Sequence, residues 1–98
     1  MLYNKINIHS ELSIILRSII KMITNEILKN IKHVHFIGIG GSGMYPLVQI
    51  FHSKGYFITG SDNNETETLE AVRKLGIEVF LGQRAENIKG ADLIIYTA

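Results

Sequence analysis

Short apolar runs alternate with segments of helical periodicity over residues 31–98 of the chain. The apolar runs predict four strands, at 34–37, 56–60, 77–81 and 93–96. Two segments between them predict helices, because their apolar residues recur every three or four positions: Met44, Leu47, Val48 and Phe51 in the first, and Leu69, Val72 and Leu75 in the second. Strands that alternate with helices are typical of an α/β fold with a parallel sheet.

The residues between these segments support the same arrangement. Gly55 and Gly76 stand where the two helices should end, and Asn64 with Glu67 has the spacing of a capping box at the start of the second helix. Right-handed crossovers then place the four predicted strands in the order 3-2-1-4, which is a Rossmann-like doubly wound sheet.

The first 30 residues contain neither glycine nor proline and predict a helical extension to a domain at 31–98. One helical face after Ser10, a candidate N-cap, is apolar: Leu12, Ile15, Leu16, Ile19, Ile20, Ile23 and Ile27. Because Arg17 and Lys21 interrupt it, no membrane-spanning helix is expected. We expect the face to pack on its own domain or on a partner, including a second copy; a membrane surface is the alternative.

A glycine-rich turn joins the first predicted strand to the first predicted helix. Gly38, Gly40 and Gly43 satisfy the G-x-G-x-x-G pattern, and Gly41 adds room for a close approach of the backbone. Such a turn presents free N–H groups at the positive end of a helix, where a phosphate can bind. We expect the amides of residues 40–43 and the Ser42 hydroxyl to hold a diphosphate, with a structural loop as the alternative.

An acidic residue follows the second predicted strand, at the distance from the turn that a dinucleotide site requires. Asp62 lies about 20 residues beyond the glycines, and its carboxylate suits ribose hydroxyls or the N–H of a base. The alternative is an Asp that only forms the turn in Ser-Asp-Asn-Asn.

Composition narrows the function classes. Ninety-eight residues allow one domain at most, and a formal net charge of +1 gives no basic field for nucleic acid. The chain has no cysteine, which is compatible with the cytoplasm, and we find no catalytic set of side chains. His33 and His35 point to one face of a strand without further metal ligands, so we expect them to be structural, with His35 buried and hydrogen-bonded.

Three motifs in fixed order carry a resemblance to a known family: the run of residues 33–44, His-Val-His-Phe-Ile-Gly-Ile-Gly-Gly-Ser-Gly-Met, then Gly60-Ser61-Asp62, then Ala91-Asp92. With them the segment 31–98 resembles the N-terminal domain of the Mur ligases, in particular the branch that joins L-alanine to UDP-N-acetylmuramate in peptidoglycan synthesis. The resemblance implies a UDP-sugar site with Gly40 to Met44 at the pyrophosphate and Asp62 at the uridine.

The same resemblance implies an ATP-dependent enzyme whose central domain binds ATP and magnesium, while this chain binds substrate and is not itself catalytic or a holder of cofactors. Two positions depart from the family pattern. Tyr45-Pro46 stands where a pair of small residues is common, and Gln83 stands where a histidine is common. Gln83 can hydrogen-bond but cannot ionise, and we include it among the expected UDP-sugar contacts.

Three other interpretations stay open at this stage. The related ligase that attaches recycled tripeptide to UDP-N-acetylmuramate has a similar loop, and an NAD-binding regulatory domain would use the same glycine pattern with Asp62 on the adenosine ribose. A scaffold that self-associates through the N-terminal helix would bind no ligand at all.

Overall fold

The computed structural model describes residues 4–7, 14, 17–18, 21 and 29–96. In these residues a five-stranded parallel sheet is formed by β1 (Asn4–Asn7), β2 (His33–Ile37), β3 (Phe57–Asp62), β4 (Glu78–Leu81) and β5 (Leu93–Tyr96). The order across the sheet is β1-β5-β2-β3-β4. Helix α1 (Met44–Ser53) connects β2 to β3, α2 (Glu67–Lys74) connects β3 to β4, and a 3-10 helix (Ala85–Ile88) precedes β5.

The four strands that the sequence predicts are β2, β3, β4 and β5. They lie in the order β4-β3-β2-β5, which is the predicted order 3-2-1-4, so the Rossmann-like α/β assignment is confirmed. Strand β1 was not predicted. It pairs with β5 at the edge of the sheet, and its sequence Asn-Lys-Ile-Asn is poor in the residues that favour strands. Pairing with a neighbouring strand therefore outweighs weak local propensity here.

Four residues of the predicted N-terminal helix are described. Ile14, Arg17, Ser18 and Lys21 are helical and exposed, and their spacing places them on one face. The predicted apolar face lies outside the described residues. No helix in the described ranges is long and apolar enough to cross a membrane.

The hydrophobic core lies between the sheet and the two α-helices. Val34 and Phe36 of β2 face it together with Phe51 of α1, and the Phe36 and Phe51 rings meet edge to face at 5.9 Å between centroids. The intervening His35 points to the opposite face of the sheet, as the two-residue period of a strand requires. The sheet thus has an apolar face against the helices and a polar face along β2 and β3.

The start of α2 differs from the predicted capping box. Thr66, not Asn64, is the N-cap, and its hydroxyl oxygen accepts the Leu69 N–H at 3.2 Å. The Asn64 N–H instead donates to Asp62 Oδ1 at 3.1 Å, so residues 62–64 form a turn and the helix begins after it. The capping-box prediction was therefore wrong.

Gly60 allows the glycine-rich turn to pack against β3. A Cβ atom at Gly60 would lie 2.7 Å from Ile39 Cγ2 and 2.8 Å from Ile39 Cβ, with Cδ1 closer still. Ile39 is fully buried at this point. Gly60 has no positive φ, so the requirement for glycine there is steric and comes from Ile39.

We expect Gly60→Ala to lower the free energy of unfolding by about 1–3 kcal/mol, because the added methyl group overpacks the contact with Ile39. Urea unfolding of the 98-residue chain measures this change. The cost should fall in an Ile39→Ala background, where two of the three clashing atoms are gone. Equal costs in both backgrounds would contradict the steric explanation.

Candidate functional site

The glycine-rich turn lies at the carboxyl edge of the sheet, where β2 ends beside β3. The N–H groups of Gly38 and Ile39 both donate to the Ser61 carbonyl oxygen, at 2.8 and 3.0 Å. This pair of bonds fixes the start of the turn to the end of β3. Ligands of open α/β sheets bind at this edge, outside the carboxyl ends of the strands.

The rest of the turn closes on itself before α1 begins. Gly41 N–H donates to the Gly38 carbonyl at 2.9 Å, and Met44 N–H donates to the Gly41 carbonyl at 3.1 Å. Gly38 and Gly43 have φ values of 78° and 86°, which favour glycine. Within the described part of the chain, the amides of Ser42 and Gly43 have no hydrogen-bond partner. They lie immediately before the N-terminus of α1.

Asp62 connects the two loops at this edge. Its Oδ2 accepts the Gly40 N–H at 2.9 Å and its Oδ1 accepts the Asn64 N–H, so each oxygen has one internal partner. A carboxylate has about four acceptor positions, so these two bonds do not use the full acceptor capacity of Asp62. The turn-forming role and the ligand role that the sequence left as alternatives are compatible.

Gly40 is required for a reason that the glycine pattern alone does not give. A Cβ atom there would lie 2.9 Å from Asp62 Oδ2, 2.9 Å from Thr66 Oγ1 and 3.0 Å from Leu69 Cδ2. The absence of a side chain lets the start of α2 approach the turn. Of the four amides expected at a diphosphate, those of Gly40 and Gly41 donate to protein acceptors, and those of Ser42 and Gly43 have no acceptor among the described residues.

A row of hydrogen-bonded polar side chains, the polar row, runs along β2 and β3 toward this edge. The Thr59 hydroxyl oxygen lies 2.7 Å from both His33 Nε2 and His35 Nδ1. His35 Nε2 lies 3.1 Å from Ser61 Oγ, which donates to Gln83 Oε1 at 2.7 Å. The expectation that His35 is buried and hydrogen-bonded is thus confirmed.

Burial, with a smaller contribution from nearby His33, lowers the pKa of His35 from 6.5 to about 4. The imidazole is therefore neutral near neutral pH. Among the residues that the structure describes, no group of three His, Asp or Glu side chains could hold a metal ion.

A depression of about 290 Å³ opens beside Gln83. Ile37 and Ile88 give it apolar walls, and Arg84 brings a positive charge to it. Sequence reasoning did not connect Arg84 with the site, because the arginine lies in a polar stretch far from the glycines. Gly82 N–H donates to the Asp62 carbonyl at 2.8 Å, which brings the segment after β4 to the end of β3.

The structure brings the predicted site residues to one edge of the sheet, where they differ in solvent exposure. Ser42 and Gln83 are exposed, and Asp62 is half-buried. Met44 is buried in the core and its N–H is bonded, so its side chain does not face the edge. Sequence reasoning missed Thr59, Ser61 and Thr66, which bond the predicted residues or crowd them, because a single hydroxyl in a strand or loop has no distinctive pattern.

We expect Asp62→Asn to destabilise the chain by about 1–2 kcal/mol, because the Gly40 and Asn64 N–H groups bond different carboxylate oxygens and an amide replaces one of these oxygens by an NH₂ group. Hydrogen exchange should show faster exchange of the Gly40 or Asn64 amide. Asp92→Asn is the matched control, because a single Asp92 oxygen, Oδ2, accepts both the Lys32 and His33 N–H groups. A larger loss at Asp92 than at Asp62 would contradict this account.

We expect the free energy of unfolding to decrease as the pH falls from 6.5 toward 4, because the unfolded chain binds a proton on residue 35 before the folded chain does. The full loss is about 3 kcal/mol. Urea unfolding at several pH values measures the slope, and His35→Gln should reduce it. A titration followed by nuclear magnetic resonance with the His35 midpoint near its ordinary value would overturn this expectation.

Comparison with known proteins places this edge of the sheet in context. A family model described as "Mur ligase family, catalytic domain" matches residues 33–98. The UDP-N-acetylmuramate–L-alanine ligase of Legionella pneumophila (strain Corby) is 49% identical over 65 residues, which are 66% of this chain and 14% of the relative. The ligase of the same name from Clostridium tetani is 48% identical over 73 residues, which are 74% of this chain and 16% of the relative.

A third ligase of this name, from Sulfurihydrogenibium sp., is 46% identical over 68 residues, which are 69% of this chain and 15% of the relative. The chain thus matches 14% to 16% of the length of these relatives. The family match covers β2 to β5 with the glycine-rich turn, Asp62 and the segment around Gln83. The chain therefore belongs to the Mur ligase family.

Proposed function

We propose that this chain binds UDP-N-acetylmuramate and is the N-terminal substrate-binding part of a ligase that joins L-alanine to this nucleotide sugar in peptidoglycan synthesis. The observation that carries the proposal is the pair of unpartnered amides, Ser42 and Gly43, at the N-terminus of α1 beside the Asp62 carboxylate. The names of the similar ligases support the choice of this nucleotide sugar as the ligand.

The turn offers an anion two kinds of hydrogen-bond donor. The Ser42 and Gly43 amides take no part in the internal bonds of the turn, and the exposed Ser42 adds a hydroxyl group. The helix dipole of α1 adds a partial positive charge at the same position. We assign the pyrophosphate to this place, with Gly38, Gly40 and Gly41 giving the turn its shape.

Asp62 and the depression beside Gln83 suit the nucleoside part of the ligand. The remaining acceptor positions of Asp62 can receive ribose hydroxyls or a uracil N–H. The depression has apolar walls for a ring and hydrogen-bonding groups at its rim, among them Gln83. Residues 33–45 contain no lysine or arginine, and Arg84 adds a positive charge to the depression that we assign to the nucleoside.

The proposed reaction consumes ATP. The carboxylate of the muramic acid group takes the terminal phosphoryl group of ATP and releases ADP, and the amine of L-alanine then displaces phosphate from the acyl phosphate to form the amide. This chain contains no G-x-x-x-x-G-K-[ST] sequence, so we assign ATP, magnesium and the amino acid to other parts of a longer protein. Binding of the nucleotide sugar, in the cytoplasm where ATP is available, is the part we assign to these residues.

We expect UDP-N-acetylmuramate to stabilise the 98-residue chain and NAD not to do so. A ligand at 100 times its dissociation constant adds about 2.7 kcal/mol to the free energy of unfolding, which a thermal shift assay detects. Gly41→Val should abolish the shift, because a Cβ atom at Gly41 already lies 3.1 Å from the Gly38 carbonyl oxygen and a branched side chain would distort the turn.

Gln49→Val is the control for this substitution, since Gln49 is exposed on α1 outside the turn. It should bind as the unchanged chain does. Unfolding in urea without ligand shows whether Gly41→Val is folded, and Gly41→Ala replaces it if it is not. Stabilisation by NAD alone would favour the regulatory-domain alternative and reject our proposal.

A further inference from the structure

In the polar row along β2 and β3, hydrogen-bond chemistry determines which atom donates the proton in each bond. Ser61 Oγ and Gln83 Oε1 are 2.7 Å apart, and two oxygens at this distance need a proton between them. The amide oxygen of Gln83 carries none, so the Ser61 hydroxyl donates it. A hydroxyl has a single proton, and Ser61 therefore has only acceptor capacity left for His35.

The same reasoning assigns the proton on His35. Because Ser61 Oγ can only accept, His35 Nε2 must carry the proton of the 3.1 Å bond between them. A neutral imidazole has one N–H, and the low pKa of His35, about 4, keeps the ring neutral. His35 Nδ1 is therefore an acceptor.

The remaining bonds follow from the bare Nδ1 atom. Thr59 Oγ1 lies 2.7 Å from it and must donate its only proton to it. The Thr59 oxygen then accepts from His33 Nε2, which lies 2.7 Å away on the other side. All four hydrogen bonds of the polar row therefore donate in the same direction, from His33 through Thr59, His35 and Ser61 to Gln83.

We propose that His35 is a positioning residue: through Ser61 it holds the Gln83 amide with its oxygen inward and its NH₂ group available as a donor to the nucleotide-sugar ligand. His35, Thr59 and Ser61 are buried, so water does not compete for their bonds, whereas Gln83 is exposed and would otherwise rotate freely. The ligand atom that meets Gln83 is accordingly an acceptor, such as a carbonyl or phosphate oxygen. The ligand part of this proposal rests on the proposed function.

Proton–nitrogen correlation spectra of the isotope-labelled protein show which nitrogen of His35 carries the proton, and they need no ligand. We expect His35 to be protonated on Nε2 near neutral pH. In Ser61→Ala the Nε2 proton loses its acceptor, and we expect the ring to change to the Nδ1-protonated form, with Thr59 then donating to His33. A residue that merely fills space would show no such change. An Nδ1-protonated His35 in the unchanged chain would overturn the proposal.

Gln83→Glu tests the outward donor. A carboxylate still accepts from Ser61, so His35 should keep its Nε2 proton, but it presents no NH₂ group to the ligand. We expect the affinity for UDP-N-acetylmuramate to fall about tenfold in titration calorimetry. Gln49→Glu makes the same chemical change on the exposed surface of α1 and should bind like the unchanged chain.

The two proposals fail in different ways. If the unchanged chain does not bind UDP-N-acetylmuramate, the proposed function fails. The protonation of His35 still shows in which direction the hydrogen bonds of the polar row donate. If the unchanged chain binds but Gln83→Glu binds equally well, the ligand site stands and the role of Gln83 as a donor is rejected.

Discussion

The carboxyl end of β3 determines the shape of the whole candidate site. The Ser61 carbonyl accepts two N–H groups from the start of the glycine-rich turn, and the Asp62 carboxylate accepts a third from Gly40. On its other side the Asp62 carbonyl accepts the Gly82 N–H. Two consecutive residues therefore hold both loops that border the site. The parallel register of β2 and β3, which pairs Ile37 with Ser61, makes this possible.

The two faces of β2 and β3 differ in polarity. One face packs Phe36 and Ile58 against the helices and supplies the hydrophobic free energy of the fold. The other carries His35, Thr59 and Ser61, whose burial would be costly if any polar atom lacked a partner. In the described residues no buried side-chain nitrogen or oxygen is left without a hydrogen bond. The polar face is thus compatible with stability, and it leads to the edge of the sheet where the glycine-rich turn lies.

Sequence alone predicted much of the fold because the signals were strong and local. The apolar runs and glycine stops gave four strands, their order and the two helices that follow β2 and β3. Strand β1 was missed because its pairing with β5 is a long-range contact that a polar tetrapeptide does not signal. The N-cap of α2 was misplaced because Asp62 takes the Asn64 N–H for a turn.

The site was predictable to a smaller extent. The glycines and Asp62 form a recognisable pattern, and the structure does bring them together at one edge. The pattern could not show that Asp62 occupies the Gly40 amide, nor that Ser61 joins His35 to Gln83, because both depend on which side chains meet across neighbouring strands. Contacts of Arg84 depend in the same way on the path of the chain after β4.

The internal bonds of the glycine-rich turn have a consequence for binding thermodynamics. Gly38, Ile39, Gly40 and Gly41 each donate their N–H to a protein acceptor, so internal bonds fix four successive residues beside the unpartnered amides of Ser42 and Gly43. For the anion binding proposed above, these four residues would add little conformational entropy cost. Under the proposed function, specificity at this edge would depend on the shape of the preformed turn rather than on closure of a loop.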